Sequence, residues 1–391
     1  MLQQDQYSQM SASNIAAAVH AGTVKARTIV DWALARIEAT EPVVNAFIHV
    51  DHVGARAAAD EIDRAIAEGR TPGPLAGVPV SVKDLVNVAG MPTSGGSKVF
   101  AGRIVQTDAV PVARLRAAGA IIIGKTTTPE FGHKPITSSP LFGETLNPWN
   151  RRYTAGGSSG GAAASVAAGQ VPLAVGTDGG GSIRIPASVC GVFGLKATLG
   201  CIAHADAADL FGNNSFIGPM TRSMSDLELM FRVMAGGDAR DPWSRRRNQK
   251  EADSPPASKW RIGWAGRVGN PVLDADVQRA FENVLQTIRS SGVAGDSIAK
   301  AGEAVDDSRL PEIELVEVDL DFVQWEPQFR VLLQSVLAGR FGADLTRNRH
   351  QFDPSFVQTI ENGLAHSAVE LAQAINVRTE MYRRVESLFK A

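Results

Sequence analysis

Two glycine-rich stretches contain the serines that decide how this sequence is interpreted: residues 154–164 read TAGGSSGGAAA, and residues 176–184 read GTDGGGSIR. Ser158 lies in the first stretch and Ser182 in the second. The segment between them predicts a short helix followed by a buried strand, which would carry the chain away from a sheet and back to it. Both serines are therefore expected in turns beside one sheet, and which serine attacks a substrate decides the mechanism.

Predicted helices and strands alternate through the flanking sequence. Helices are expected at 13–40 (divided at Gly22), 53–69, 108–118, 160–169 and 275–290, followed by a helical tail to Ala391. Strands are expected at 78–83, 120–125, 171–178, 192–196, 260–264 and 313–318. This alternation predicts an α/β fold with a mostly parallel sheet that is covered on both faces.

The composition is that of a globular protein, with 44% hydrophobic and 20% charged residues among 391. A net charge of −2 argues against a dedicated nucleic-acid-binding protein, which usually carries a basic stripe. No segment is apolar for long enough to span a membrane, and the N-terminal residues MLQQDQYSQM do not resemble a secretion signal. The two cysteines form neither a disulfide framework nor a zinc site. These features predict a cytoplasmic location.

Residues 156–160, GGSSG, match the G-x-S-x-G pattern of the nucleophile elbow. That turn needs a strand leading directly into the serine, yet residues 147–155 read NPWNRRYTA and predict a loop. A phosphate-binding loop is also disfavoured, since neither glycine-rich stretch ends in G-K-[S/T]. The elbow and the phosphate loop are therefore both poor explanations of these glycines.

A serine nucleophile needs a base, and no histidine neighbours either loop. Lys83 is the candidate, because it ends an apolar strand where burial would depress its pKa and favour the neutral amine. Backbone N–H groups of Gly179 to Ser182 have no bulky side chains around them, so they can hold a developing oxyanion. Together these residues predict acyl transfer through a lysine that acts on one serine by way of another.

The chain resembles the amidase signature family, and in particular its bacterial amidases. The resemblance is carried by residues 156–161 and 176–196, and by the flanking segments 77–84, 90–94 and 119–126. It implies one α/β domain with a mixed, mostly parallel central sheet flanked by helices. It also implies a Ser–cisSer–Lys triad.

Within that triad, the resemblance makes Ser182 the nucleophile, Ser158 the bridging serine after a cis peptide bond from Gly157, and Lys83 the base. The oxyanion hole and substrate-binding donors would be the backbone N–H groups of Gly179, Gly180, Gly181 and Ser182. Two further expectations concern support: Asp178 and Arg184 hold the nucleophile loop through charge-assisted hydrogen bonds, and Ser159 supports the loop by hydrogen bonding.

The implied reaction is hydrolysis of a small carboxamide to a carboxylic acid and ammonia or an amine, by way of an acyl-enzyme. The expected partner is a small-molecule amide, with no nucleic acid, membrane, metal or cofactor, and the expected assembly is a homodimer. One alternative is a catalytically silent or assembly-dependent protein. Another is an amidotransferase-type subunit. Residues 128–131 argue against that alternative, because they read TPEF where Met-Asp-Glu-Phe is typical of such subunits.

A single domain is expected over residues 1–391, with the signature core at about 70–200 and a polar surface connection at about 237–258. The resemblance also implies a C-terminal part that is shorter than usual for the family. Such a difference is expected to leave a sheet edge and some apolar surface uncovered.

Overall fold

The computed structural model describes residues 3–212, 214–244, 259–290 and 312–390. The chain divides into two compact units: residues 1–247 with 343–358 form the first, and residues 248–342 with 359–391 form the second. The two glycine-rich stretches both belong to the first unit.

The expectation of one domain over residues 1–391 stays a prediction. Part of the predicted surface connection, residues 245–258, lies outside the described residues. Within the described ranges, no helix has the length and apolar character needed to cross a bilayer.

The strands of the described ranges form one larger sheet and two strand pairs. The strands are β1 (Phe47–Val50), β2 (Pro79–Lys83), β3 (Ile121–Thr126), β4 (Ser138–Ser139), β5 (Gly143–Glu144), β6 (Leu173–Asp178), β7 (Phe193–Gly194), β8 (Phe216–Thr221), β9 (Lys259–Trp264) and β10 (Glu312–Glu317). The larger sheet has the order β1-β3-β2-β6-β8-β7.

The sheet is mixed, as predicted. β2 pairs in parallel with β3 and with β6, whereas β1–β3, β6–β8 and β7–β8 are antiparallel. Four of the six strands, β2, β3, β6 and β7, therefore run in one direction, and β1 and β8 run in the other. The predicted α/β class with a mixed, mostly parallel sheet flanked by helices is confirmed.

The α-helices of the described ranges agree with the predicted pattern up to residue 169. They are α1 (Ala12–His20), α2 (Ala26–Val44), α3 (His52–Ala67), α4 (Val110–Ala117), α5 (Gly160–Ala167), α6 (Arg184–Cys190), α7 (Met224–Met234), α8 (Ala275–Ser290), α9 (Glu326–Asn348), α10 (Pro354–Ala365) and α11 (Ala368–Leu388). The division at Gly22 falls between α1 and α2, as expected.

The core of the first unit lies around its central strands. Every residue of β2, β3 and β6 is buried, so both faces of these strands are covered, which explains their continuous apolar sequences. α5 packs against this part of the sheet, and its small residues Ala162, Ala163 and Ala164 are fully buried. The two serine-bearing turns therefore join elements of the buried core.

Six of these elements are not predicted from the sequence: β1, β4, β5, β8, α6 and α7. β8 contains Pro219, which weakens a strand signal, yet β8 pairs with β6 through six residue pairs. The strand expected at 192–196 is shorter than predicted, since β7 comprises only Phe193 and Gly194. α6 begins two residues after Ser182, so the second serine precedes a helix directly.

The second unit contains the parallel pair β9–β10, in which Lys259 is paired with Glu312. Lys259 forms ion pairs with Glu312 and Glu314 on the neighbouring strand. Leu285 on α8 is buried, and Phe281 of the same helix packs against Trp264 of β9. The strands predicted at 260–264 and 313–318 thus exist and form one small sheet.

Candidate active site

Lys83 is the last residue of β2 and is completely buried. Because β2 lies between β3 and β6, its final side chain is enclosed by the core. The Nζ atom lies 2.6 Å from Ser158 Oγ, 2.9 Å from Ser159 Oγ and 2.9 Å from Thr177 Oγ1. A buried amine is thus surrounded by three hydroxyl groups.

Burial lowers the pKa of Lys83 well below its ordinary value, and the carboxylate of Asp178 opposes this shift by Coulomb attraction. Desolvation disfavours the ammonium form more than the nearby negative charge favours it. The neutral amine, which can accept a proton, is therefore populated at lower pH than for an exposed lysine.

Ser158 is almost completely buried and lies immediately before α5. The Gly157–Ser158 peptide bond is cis, as the family resemblance implied. Its hydroxyl group meets Lys83 through the 2.6 Å contact. Residues 155–159 belong to no strand, so the turn lacks the leading strand that a nucleophile elbow requires.

Ser159 connects the two glycine-rich loops. Its hydroxyl group donates to Thr177 O at 3.0 Å and accepts from Thr177 N at 3.2 Å. Its backbone N–H donates to Ser182 O at 3.0 Å. The expected supporting role of Ser159 thus takes the form of side-chain bonds to β6 and a backbone bond to the residue proposed as nucleophile.

Asp178, the last residue of β6, organises the loop that carries Ser182. Its buried carboxylate accepts the N–H groups of Gly181 at 2.7 Å and Ile183 at 3.1 Å. The guanidinium group of Arg184 binds the same carboxylate through two contacts of 2.9 Å. Burial raises the pKa of Asp178, but the hydrogen bonds from Arg184 and Gly181 outweigh this effect and hold the pKa below its ordinary value. The carboxylate is therefore ionised and shapes the loop around itself.

The backbone N–H groups of this loop are not equivalent. The N–H of Gly181 is already donated to Asp178, whereas in the described part of the chain those of Gly179, Gly180 and Ser182 have no acceptor. Gly181 has φ +110°, a conformation that side-chain-bearing residues rarely adopt. Ser182 is half-buried, and its hydroxyl makes no hydrogen bond within the described ranges. The N–H groups of Gly179, Gly180 and Ser182 are thus available to a bound oxygen.

Gly132 borders the other side of the Ser158 hydroxyl group. A Cβ atom on Gly132 would lie 3.0 Å from Ser158 Oγ and 3.1 Å from Leu85 Cδ1, and φ is +72°. A side chain at this position would therefore press on Ser158. The sequence does not predict this place for Gly132, since nothing local to GHK at 132–134 indicates that it meets a serine 26 positions later.

A second buried lysine lies beside the first. Lys125, on the neighbouring strand β3, places its Nζ 3.7 Å from Asp84 Oδ1 and donates to Pro92 O and Thr93 Oγ1. Burial lowers the pKa of Lys125 to about 8, against the attraction of Asp84, and burial raises the pKa of Asp84. The backbone N–H groups of Ser94 and Gly96 donate to Asp84, so this pair fastens the 92–96 loop to the end of β2.

Thr177 is a second residue whose contact with the site the sequence does not predict. It stands within the quoted GTDGGGSIR stretch, but only the placement of β6 beside β2 brings its hydroxyl group to Lys83.

Among the described residues, no group of three or more His, Cys, Asp or Glu side chains is placed to hold a metal ion.

Comparison with known proteins matches the sequence and the fold to one family. The sequence profile of the Amidase family matches residues 28–299. An acylamidase of Rhodococcus erythropolis is 42% identical over 286 residues, which cover 72% of this chain and 60% of the relative. A glutamyl-tRNA(Gln) amidotransferase subunit from Rhodopirellula baltica is 35% identical over 96% of this chain and 72% of its own length.

A solved bacterial aryl acylamidase of the amidase signature family superimposes with a TM-score of 0.83 at 25% identity, over 97% of this chain and 78% of that structure. The chain spans part of the length of the curated relatives that it matches. That part ranges from 46% of the amidotransferase subunit of Chloroflexus aurantiacus to the 72% of the Rhodopirellula protein.

Proposed function

The chain belongs to the amidase signature family, and from this premise we propose that it hydrolyses the carbon–nitrogen bond of a small carboxamide. The products are a carboxylic acid and ammonia or an amine. The observation that carries the proposal is the 2.6 Å contact between the buried Lys83 amine and Ser158 Oγ. Burial makes that amine a base, and the contact supplies a hydroxyl group on which it can act.

In this reaction Lys83 is the base, Ser158 is the bridging serine and Ser182 is the nucleophile. The neutral amine of Lys83 takes the hydroxyl proton of Ser158, and Ser158 Oγ takes the hydroxyl proton of Ser182. Ser182 Oγ then bonds to the carbonyl carbon of the substrate. The tetrahedral intermediate then collapses: its carbon–nitrogen bond breaks, and the relay returns a proton to the leaving nitrogen. Water, deprotonated by the same relay, hydrolyses the Ser182 ester to the carboxylic acid.

The developing oxyanion is held by backbone N–H groups of the Gly179–Ser182 loop. Because Asp178 occupies the N–H of Gly181, the donors assigned here are those of Gly179, Gly180 and Ser182. Gly179 and Gly180 are exposed, so a substrate carbonyl group can approach them from solvent. Preorganised donors of this kind contribute strongly to acyl transfer because they need no reorientation during the reaction.

A second candidate function is that of an amidotransferase subunit, which the match to the Rhodopirellula protein over 96% of this chain favours. Residues 128–131, TPEF, argue for the hydrolase instead. Hydrolysis rates for glutamine, an aliphatic amide and an aromatic amide separate the two functions. Turnover of glutamine alone would favour the amidotransferase role.

The proposal is tested by labelling the purified protein with a fluorophosphonate probe and mapping the modified peptide by mass spectrometry. Label on Ser182, lost in Lys83→Ala and in Ser158→Ala, is the expected result. Ser188→Ala is the matched control, because Ser188 is an exposed serine on α6 and its loss should not change labelling. Label on Ser158 would overturn the assignment of the nucleophile. A folded chain that takes no label and hydrolyses no amide would instead be the catalytically silent protein.

A further inference from the structure

The proposed reaction uses only one of the three hydroxyl groups around Lys83, namely that of Ser158. The hydroxyl groups of Ser159 and Thr177 contact the same Nζ atom, each at 2.9 Å. The donors and acceptors of these groups can be counted. The inference drawn from that count rests on the proposed function.

Ser159 can only accept a hydrogen bond from Lys83. A serine hydroxyl has one proton and two lone pairs. Its proton is committed to Thr177 O, because a carbonyl oxygen cannot donate. One lone pair accepts Thr177 N–H, which leaves the other for an N–H of Lys83. Ser159 is then saturated, and it fixes one N–H bond of the amine.

A neutral amine has two N–H bonds and one lone pair, so one N–H and the lone pair remain for Ser158 and Thr177. The contact to Ser158 Oγ is 2.6 Å, shorter than the usual range for an N–H donor, whereas the contact to Thr177 Oγ1 is 2.9 Å and lies within that range. The short contact suits an O–H group that donates to nitrogen. The longer one suits an N–H group that donates to oxygen.

We propose that Thr177 is a positioning residue for Lys83: together with Ser159 it occupies both N–H groups of the neutral amine, and thereby directs the lone pair to Ser158. A primary amine at the end of a four-carbon chain can rotate, so its lone pair has no fixed direction of its own. The two acceptors, Thr177 on β6 and Ser159 in the turn before α5, fix the direction of the lone pair.

The same count predicts what loss of the Thr177 hydroxyl does to protonation. The ammonium form of Lys83 has three N–H bonds, and the three hydroxyl groups accept them. Thr177→Val leaves one buried N–H without an acceptor in both forms, but the bond from the ammonium is charge-assisted and stronger than that from the neutral amine. The charged form therefore loses more, and the pKa of Lys83 falls. The charged groups around this site stay in place: Asp178, bound to Arg184, and the Asp84–Lys125 pair.

The experiment measures the rate at which the fluorophosphonate probe modifies Ser182 as a function of pH, together with the pKa of Lys83 from NMR of the side-chain nitrogen. In Thr177→Val the alkaline plateau should fall by roughly 100-fold, the scale of general-base catalysis. The acid limb of the pH profile should move to lower pH by about one unit, the scale of the difference between a charged and a neutral hydrogen bond. Thr177→Ser keeps the hydroxyl group and should remain close to the wild type.

Thr126→Val is the matched control. Thr126 is a fully buried threonine on β3, paired with Lys83 across the strands, and its hydroxyl makes no hydrogen bond within the described ranges. The same loss of a hydroxyl group there should change neither the plateau nor the acid limb. Where Thr177→Val does not fold, Thr177→Ala removes the same hydroxyl and carries the test.

A Thr177→Val protein with the wild-type plateau and acid limb would overturn the inference. So would a lower plateau with an unmoved limb and an unmoved Lys83 pKa, which is the behaviour of a merely structural residue. If the wild type itself takes no label, the proposed function fails, and the NMR titration then decides the positioning role alone. A lower Lys83 pKa in Thr177→Val supports that role, and an equal one contradicts it.

Discussion

Asp178 is the residue on which the shape of the nucleophile loop depends. Its carboxylate is fully buried and accepts three backbone N–H groups, those of Gly181, Ile183 and Arg184. It also binds the Arg184 guanidinium group, which is itself half-exposed. The same carboxylate raises the pKa of Lys83 by Coulomb attraction. One side chain thus links the loop conformation to the protonation of the base.

Asp178→Asn should slow Ser182 labelling by roughly 100-fold, since an amide cannot accept from the three N–H groups and the Arg184 guanidinium group at once and the loop shifts. The acid limb should also move to lower pH, because the charge that favours protonated Lys83 is lost. The measurement is the pH profile of labelling.

Unfolding by denaturant gives the companion measurement for Asp178→Asn, with an expected loss of about 1–3 kcal/mol for the broken hydrogen bonds. The pKa of Asp178 is lowered in the folded protein, so this stabilisation is present above its ordinary pKa and is lost as pH falls through the folded value. Asp226→Asn is the control: Asp226 is equally buried and accepts the N–H groups of Ala12 and Ser13. It should lose stability while the folded protein labels normally, and equal slowing in both variants would contradict the role given to Asp178.

At the scale of elements, α5 is the helix that must approach the sheet most closely for the relay to form. It starts directly after Ser158 and Ser159 and packs against β2 and β6. Gly161 lies at a close contact between α5 and neighbouring residues. A Cβ atom on Gly161 would lie 2.2 Å from Thr127 Oγ1 and 2.6 Å from the backbone oxygen of Ala46. The glycines after Ser159 thus serve the packing of this helix as well as the turn.

Gly161→Ala should therefore destabilise the protein by about 1–3 kcal/mol through overpacking, and urea unfolding measures this change. Gly339→Ala is the matched control, because Gly339 also lies in a helix, α9, and a Cβ atom there would meet nothing within 4 Å. Alanine at that position should stabilise the protein by about 0.5–1 kcal/mol, since it favours the helix. Similar shifts from both substitutions would show that helix propensity, and not the close approach, decides the effect.

At the scale of the whole molecule, the first unit consists of two separate parts of the chain, and residues 343–358 form its second part. We call residues 343–358 the returning stretch. Asp353 in this stretch accepts from Lys134 at 2.7 Å, and its backbone N–H donates to the buried carboxylate of Glu130 at 2.7 Å. These contacts hold the segment that places Gly132 against Ser158. The returning stretch is therefore coupled to the candidate site through residues 130–134.

Asp353→Ala should lower the free energy of unfolding by about 1–3 kcal/mol, because it removes a mostly buried ion pair and the bonds to Ser355. It should also slow Ser182 labelling, since the segment beside Ser158 loosens. Differential scanning calorimetry and the labelling rate are the two measurements.

The control for Asp353→Ala is Asp276→Ala, which breaks an exposed pair with Arg279 on α8. Exposed pairs contribute about 0–1 kcal/mol, so its unfolding and labelling should hardly change. Unaltered labelling in a destabilised Asp353→Ala protein would mean that the returning stretch supports the fold and not the site.

The sequence by itself determined what depends on neighbours along the chain. The continuous apolar strands at 78–83 and 120–125, the division at Gly22 and the α/β class follow from local composition and periodicity, and the structure contains them. The candidates Lys83, Ser158 and Ser182 came from short motifs and from the family resemblance, and their catalytic roles stay predictions. Glycine runs and a lysine at the end of a strand can be recognised in the sequence, because their chemistry requires particular residue types at particular positions.

Only the tertiary structure decided which groups meet. The contact of Thr177 with Lys83, the approach of Gly132 to Ser158 and the bond from Asp353 to Glu130 join residues 94, 26 and 223 positions apart. The commitment of the Gly181 N–H to Asp178 is local, yet it depends on a loop conformation that the letters GTDGGGSIR do not specify. A hydrogen bond needs two atoms within about 3 Å, and strand order and helix packing, which place those atoms, are set by the whole core.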